Sequence, residues 1–171
     1  VIEEAWKAIA SPLMAEYIKF MYKTARKFWA SVGVVTQEIQ DIIGSEIVKE
    51  AIINNSDCKI LLDQRKYMNK FEHIQKLLGL TEKERGQILS INRANRPGPF
   101  YREVWIGLGG THSAVYATEV SAEEYTVYTT EESEKLELHE LTRELGGNLE
   151  LAVQRLAERK REEQKQVSTP K

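Results

Sequence analysis

The seven residues "SVGVVTQ" (31–37) constrain the fold of this chain more than any other segment. The run is short, rich in β-branched residues and apolar through Val35, and a helical pattern precedes it over residues 12–29. A continuous apolar run after a helix is typical of a strand covered on both faces in a parallel sheet. The opening "VIEE" has the pattern of a strand end, and "CKILLD" (58–63) that of another buried strand. Strands and helices therefore alternate, which predicts the α/β class.

The segment between the first two predicted strands has the pattern of a helix. Ser11 supplies a capping hydroxyl, and Pro12 suits the first helical position. Apolar side chains then recur at helical spacing, at Leu13, Tyr17, Met21, Ala25 and Phe28. The pattern predicts an apolar face made of these residues, with lysines elsewhere around the helix.

In the second half of the chain the alternation of strands and helices gives way to a hairpin followed by helices. Residues 101–120 contain two strand patterns around a Gly-Gly turn, which predicts an antiparallel hairpin. From Ser121 onward the pattern is helical, and Gly146 and Gly147 separate the last two helices. The preceding "NRANRPGPF" (92–100) is expected to be a loop. The predicted organisation is a core over residues 1–120, a helical appendage over 121–165 and a disordered tail over 166–171.

Net charge, cysteine count and hydropathy argue against several classes of function for this chain. The 24 basic and 26 acidic side chains give a net charge of −2, so no strong field favours nucleic acid or anionic lipid. One cysteine, Cys58, excludes an internal disulfide and fits a reducing compartment. No apolar run approaches the roughly 20 residues that span a bilayer, and no secretory signal opens the chain. We expect a cytosolic domain that is a piece of a longer protein.

Two adjacent carboxylates, Glu3 and Glu4, stand at the carboxyl end of the first predicted strand. Ligands of open α/β sheets bind beyond the carboxyl ends of strands. Nucleotide hydrolases place one acid there to orient hydrated Mg²⁺ and another to activate the attacking water. On this interpretation Glu3 is the metal-side acid, acting through water, and Glu4 is the catalytic base. The alternative is that both are acids favoured by the dipole at a helix entry.

Gln37 and Arg26 are candidates for the same site. Gln37 follows the second predicted strand and would emerge beside Glu4, where its amide could sense both the γ-phosphate and the attacking water. Its alternative role is that of a polar residue ending a strand. Arg26 suits bidentate phosphate contact, so it is a candidate arginine finger for a neighbouring subunit. Its alternative role is to favour the negative end of the preceding helix.

Three segments together resemble the TraG-type conjugation ATPases: "VIEEAWKAIAS", "KTARKFWASVGVVTQEIQDI" and "IINNSDCKILLDQRKYMNKF". "EEAW" is similar to the end of the family's Walker B strand, "ARKF" to its arginine segment and "VVTQ" to its sensor strand. The similarity continues through residues 101–125 to the C-terminal helices. Glu3 stands where many members carry Asp.

The resemblance implies the C-terminal portion of a RecA-like P-loop ATPase domain of the HerA/FtsK branch, with parallel strands and helices, followed by the hairpin and the helices. It implies ATP hydrolysis with Mg²⁺ by a hexameric homo-oligomer. The implied partners are type IV secretion and conjugation components, in a membrane-associated complex at the cytoplasmic face of the bacterial inner membrane. An indirect contact with DNA is also implied.

The phosphate-binding motif G-x-x-x-x-G-K-S/T does not occur in the sequence. "GLGGTHS" (107–113) lacks the lysine and lies between two strand patterns, which favours a hairpin turn. We therefore expect the parent protein to hydrolyse ATP, and the chain alone to be inactive and to bind neither ATP nor Mg²⁺ tightly. The alternative function is a non-catalytic interaction or oligomerisation module of the secretion machinery.

Overall fold

The computed structural model describes residues 1–93 and 100–167, and the chain divides into two compact units. Unit 1 comprises Val1–Leu89 and Trp105–Ala114, and unit 2 comprises Ser90–Val104 and Val115–Lys171. Most of the loop predicted at residues 92–100, and the last four residues of the predicted tail, lie outside the described residues. The predicted domain boundaries stay predictions.

Short helices dominate the first 90 residues. They are α1 (Ala5–Ile9), α2 (Pro12–Thr24), α3 (Gln40–Ile43), α4 (Lys49–Asn55), α5 (Phe71–Leu78) and α6 (Glu82–Ser90), with 3₁₀ turns at Ala25–Phe28 and Arg65–Lys70. Helix α2 begins as predicted, because Ser11 is its N-cap residue and Pro12 its first residue, although the Ser11 side chain makes no capping hydrogen bond.

One hydrophobic cluster of unit 1 is built from small and β-branched side chains of α1, α2, α3 and α4 and of the residue that precedes α4. Its buried members are Ala5, Ile9, Ala15, Ile18, Ile42, Val48 and Ile52. Helix α2 therefore buries Ala15 and Ile18, with Met21 and Tyr22 partly buried beside them. The predicted apolar face is wrong at Leu13, Tyr17 and Phe28, whose side chains are exposed. Apolar residues surround most of α2, so their spacing alone could not select the packed side.

One parallel contact joins the two predicted strands of the N-terminal region. Ile2 and Val34 form an isolated parallel bridge, in which the Ile2 N–H donates to Gly33 O (2.8 Å) and the Val35 N–H to Ile2 O (2.9 Å). The two segments therefore run side by side in the same direction, as the α/β pattern predicts. Within residues 1–93 and 100–167 this is the extent of the parallel pairing, and a RecA-like parallel sheet stays a prediction.

The third predicted strand has a different partner from the one expected. Strand β1 (Cys58–Leu61) pairs antiparallel with β2 (Tyr101–Leu108), from Cys58 opposite Leu108 to Leu61 opposite Trp105. Its side chains are alternately exposed and partly buried, and Ile60 faces solvent. The expectation of a fully buried parallel strand at residues 58–63 is therefore wrong, because β1 is an edge strand of an antiparallel sheet with the order β1-β2-β3.

The hairpin predicted at residues 101–120 is confirmed. Strand β2 is joined to β3 (His112–Glu119) by a turn in which the Thr111 N–H donates to Leu108 O (3.1 Å). Gly109 and Gly110, the central residues of this turn, both have positive φ, as a type I′ hairpin turn requires. The glycine-rich segment is therefore a strand connection and not a phosphate loop.

Three helices follow the hairpin in unit 2: α7 (Ala122–Tyr128), α8 (Glu132–Glu144) and α9 (Leu149–Val167). A capping box starts α7, since Ser121 and Glu124 each accept a backbone N–H from the other. Gly146 and Gly147 have positive φ and end α8, as predicted. Helices α8 and α9 pack through leucines and an alanine: Leu138, Leu141, Leu145, Ala152 and Leu156.

Candidate functional site

The candidate site lies at the end of the parallel contact. Beyond the Ile2–Val34 bridge, the Ala5 N–H donates to Val35 O at 3.0 Å. The residues that follow each segment, Glu3 and Glu4 on one side and Gln37 on the other, therefore leave the paired backbones at the same end. The structure brings together the segments that carry the two candidate acids and the candidate sensor.

Glu4 occupies a strained backbone position. It is the N-cap residue of α1 and has φ 49° and ψ 48°, the left-handed conformation. This conformation costs a residue with a Cβ about 1–2 kcal/mol, and backbone outliers of this kind cluster at functional sites. The hydrogen bonds of Ile2 and Ala5 to residues 33–35 hold the backbone on both sides of Glu4. The left-handed residue therefore lies between two positions that the parallel contact holds.

Lys7 is a site residue that sequence reasoning missed. Its ammonium pairs with the Glu4 carboxylate and lies 5.3 Å from the centroid of the Trp6 ring. Both side chains of the ion pair are substantially exposed. Glu3, Glu4, Lys7 and Ala8 line one shallow, open depression. The signal was present in "EEAWK", because residues i and i+3 of a helix are neighbours.

Glu3 is exposed, and its carboxylate makes no hydrogen bond or ion pair with any described residue. Among these residues no cluster of three or more His, Cys, Asp or Glu could hold a metal ion. Mg²⁺ is often bound by one or two carboxylates, with waters and substrate phosphates completing its shell. A single free carboxylate at this edge fits that donor set, with Glu3 as the residue that would hold the hydrated ion.

Gln37 follows a threonine that fixes the end of its segment. The Thr36 hydroxyl donates to Asp41 Oδ2 (2.5 Å) and lies 3.1 Å from Glu38 O. The Tyr67 hydroxyl donates to Glu38 Oε1 at 3.1 Å. The Gln37 side chain is exposed and has no partner among the described residues. Its neighbours are anchored while its amide is free to contact a ligand.

Arg26 lies apart from this contact in the chain, in the 3₁₀ turn Ala25–Phe28. Its guanidinium is exposed and contacts no described residue through a hydrogen bond or ion pair, so the structure does not join it to Glu4 or Gln37. Trp29, the residue that ends this turn, has φ 54° and is fully exposed. An outward-facing arginine is what a finger for another subunit requires, and that role stays a prediction.

Tyr22 connects the parallel contact to the helices packed beside it. It is half-buried, and burial raises the pKa of its hydroxyl, while hydrogen bonds to Ser56 and to the Val34 backbone act in the opposite direction. Because Val34 is the partner of Ile2, this hydroxyl links α2 and the end of α4 to the parallel contact. The backbone contact that carries the candidate site is therefore attached to α2 and to the end of α4.

Ligands of open α/β sheets bind beyond the carboxyl ends of parallel strands, and Glu3, Glu4 and Gln37 follow the Ile2–Val34 bridge at that end. A family model described as the TraG P-loop domain matches residues 1–160. The match covers most of the chain, and the chain belongs to this family.

A curated relative is the type IV secretion system protein CagE of Helicobacter pylori (strain ATCC 700392 / 26695). It is 37% identical over 83 residues, which are 48% of this chain and 8% of CagE. The chain therefore spans a small part of the length of the relative that it matches. No solved structure matches the chain. In the described ranges, no helix has both the length and the apolarity to cross a membrane.

Proposed function

We propose that the chain forms the water-activating edge of a RecA-like ATPase that powers type IV secretion and conjugative transfer. The observation that carries the proposal is the parallel Ile2–Val34 bridge, because it sets the Glu3–Glu4 pair beside the Gln37 segment. Family membership supports a P-loop nucleotide hydrolase, and the similarity to CagE supports a secretion role.

In the proposed mechanism each residue acts from its observed position. Glu4 accepts a proton from the attacking water, and the neighbouring Lys7 ammonium steadies its ionised carboxylate. Gln37 orients the water through its free amide. Glu3 would hold hydrated Mg²⁺, which would supply charge stabilisation at the ATP phosphates. Arg26 contacts the nucleotide of an adjacent subunit, which places the chain in a homo-oligomer, with a hexamer as the expected form.

The proposal also assigns a setting. The 171 residues contain no G-x-x-x-x-G-K-S/T motif, so the loop that cradles the phosphates comes from a segment outside them. The parent protein acts with secretion components at the cytoplasmic face of the inner membrane, as part of a membrane-associated complex, and meets DNA indirectly through its cargo.

The test is ATP turnover by the full-length parent carrying Glu4→Gln. Loss of a general base lowers turnover by about 10²–10⁴-fold, and we expect that loss with ATP affinity retained, because Gln preserves the size of the side chain. The matched control is Glu50→Gln, which removes an exposed, unpaired carboxylate of α4 and should leave turnover unchanged. Turnover that survives Glu4→Gln would show that Glu4 is not the base.

A further inference from the structure

Lys7 places a positive charge beside both candidate acids. Its Nζ contacts Glu4 Oε2, and Glu3, Glu4, Lys7 and Ala8 line one open depression. The backbone of Lys7 is fixed, because its N–H donates to Glu4 O at 3.0 Å and because α1 is anchored by the fully buried Ala5. The depression is therefore lined by two carboxylates and one ammonium on a backbone that the packing of unit 1 positions.

The ion pair holds the Lys7 ammonium weakly. The side chains of Lys7 and Glu4 are 62% and 46% exposed, and exposed ion pairs contribute little free energy. The ammonium stands on a flexible four-carbon stem, and its Nζ also lies 5.3 Å from the centroid of the half-exposed Trp6 ring, within the range of a cation–π contact. An anion of higher charge that enters the depression can therefore take the ammonium from Glu4 at little cost.

The proposed reaction brings such an anion within reach. If Glu4 activates the attacking water, this water lies between the carboxylate and the γ-phosphate, so the two groups are separated by about two hydrogen-bond lengths, or about 6 Å. Lysine binds phosphate as a point charge, and a γ-phosphate carries more negative charge than a carboxylate. ATP supplies this phosphate and ADP does not.

We propose that Lys7 is a γ-phosphate-binding residue that changes partner with the nucleotide state. Its ammonium pairs with Glu4 when ATP is absent, and it contacts the γ-phosphate when ATP is bound. The exchange leaves the Glu4 carboxylate free to contact the attacking water, and it lets the site distinguish ATP from ADP. The inference rests on the proposed function, because it requires the reacting phosphate to lie beside Glu4.

Nucleotide binding by the full-length parent tests the exchange, with calorimetry as the measurement. Lys7→Met removes the charge and keeps an unbranched side chain. Affinity for a non-hydrolysable ATP analogue with Mg²⁺ should fall about tenfold, because a charge-assisted hydrogen bond to phosphate is lost. Affinity for ADP should change by less than about twofold, since an exposed ion pair contributes little. Lys7→Arg should retain most of the preference, because a guanidinium also binds phosphate.

The matched control is Lys83→Met, which removes an exposed lysine of α6 that forms no ion pair with a residue that the structure describes. It should change neither affinity, and circular dichroism verifies the fold of each variant. A Lys7→Met parent that binds the ATP analogue normally, or that loses affinity for the analogue and for ADP equally, overturns the inference even if Glu4→Gln abolishes turnover. If turnover survives Glu4→Gln while Lys7→Met still weakens binding of the analogue alone, the proposed base is wrong and the phosphate contact of Lys7 stands.

Discussion

Helices α2 and α8 have the same length, 13 residues, but they differ in how their side chains are buried and paired. Helix α8 pairs two of its five glutamates within unit 2: Glu134 contacts Lys160 at 2.5 Å and Glu137 contacts Arg159 at 3.2 Å, both on α9. Helix α2 buries the small Ala15 and Ile18 and leaves large aromatic side chains in solvent. The inner side of α8 is packed and paired within its own unit, whereas several large apolar side chains of α2 are exposed.

The largest expected effect tests which face of α2 is packed. Ile18→Ala removes a fully buried side chain, and such truncations cost about 2–5 kcal/mol of unfolding free energy. Tyr17→Ala, at the adjacent exposed position, should change stability by less than about 0.5 kcal/mol. Leu141→Ala should destabilise unit 2 by an amount like that of Ile18→Ala. Urea unfolding measures all three, and equal costs for Tyr17→Ala and Ile18→Ala would contradict the assigned faces.

These two helices also show what the sequence predicts well. The starts and ends of helices depend on local chemistry, so the Ser11–Pro12 start and the break at Gly146 and Gly147 were both predictable. The same is true of the hairpin, because Gly109 and Gly110 tolerate the positive φ of its turn. In each case the residues that determine the backbone conformation lie within a few positions of the place where it occurs.

Contacts between distant segments were harder to predict. The pattern of "CKILLD" fits a buried strand, but its antiparallel pairing with β2 depends on residues more than 40 positions away. The packed side of α2 likewise depends on which neighbouring helices it meets. At the site, the sequence predicts that Glu4 and Gln37 share an edge; the structure joins the backbones that precede them, and the shared site stays a prediction. The Glu4–Lys7 pair and the left-handed Glu4 backbone were not predicted, since both depend on how α1 begins.

An intermediate effect is expected from the ion pairs of α8. Lys160 contacts Glu134 and lies 5.1 Å from the centroid of the Tyr125 ring. Lys160→Met should lower the unfolding free energy by about 1 kcal/mol, because both charged groups are largely shielded from solvent. Lys23→Met on α2 removes an unpaired cation and should change it by less than about 0.5 kcal/mol. Equal losses in the two variants would remove the contrast between the helices.

The cost of Lys160→Met should depend on pH. Burial opposes ionisation of Glu134, but hydrogen bonds from Lys160 and Thr129 and the charge of Lys160 hold its pKa below the ordinary value of 4.5. A lowered pKa in the folded state gives stability that is present above the unfolded pKa and disappears as the pH falls through the folded one. Urea unfolding should therefore separate the variant from the wild type at pH 7, with the difference shrinking below about pH 4. A difference that stays constant with pH would contradict the pairing.

The smallest effect concerns the strained backbone of Glu4. Like Glu134 of α8, Glu4 is paired with a lysine. Asn tolerates the left-handed conformation better than Glu, so Glu4→Asn should relieve strain. The matched control is Glu4→Gln, which also removes the charge that pairs with Lys7 but keeps the unfavourable side chain. We expect the Asn variant to be more stable than the Gln variant by about 0.5 kcal/mol in urea unfolding. If the two variants were equally stable, the backbone at residue 4 would carry no strain, and its geometry would give no support to a functional role. A stabilised Glu4→Asn chain would show that Glu4 is retained at this position at a cost in folding free energy, as expected of a residue kept for chemistry.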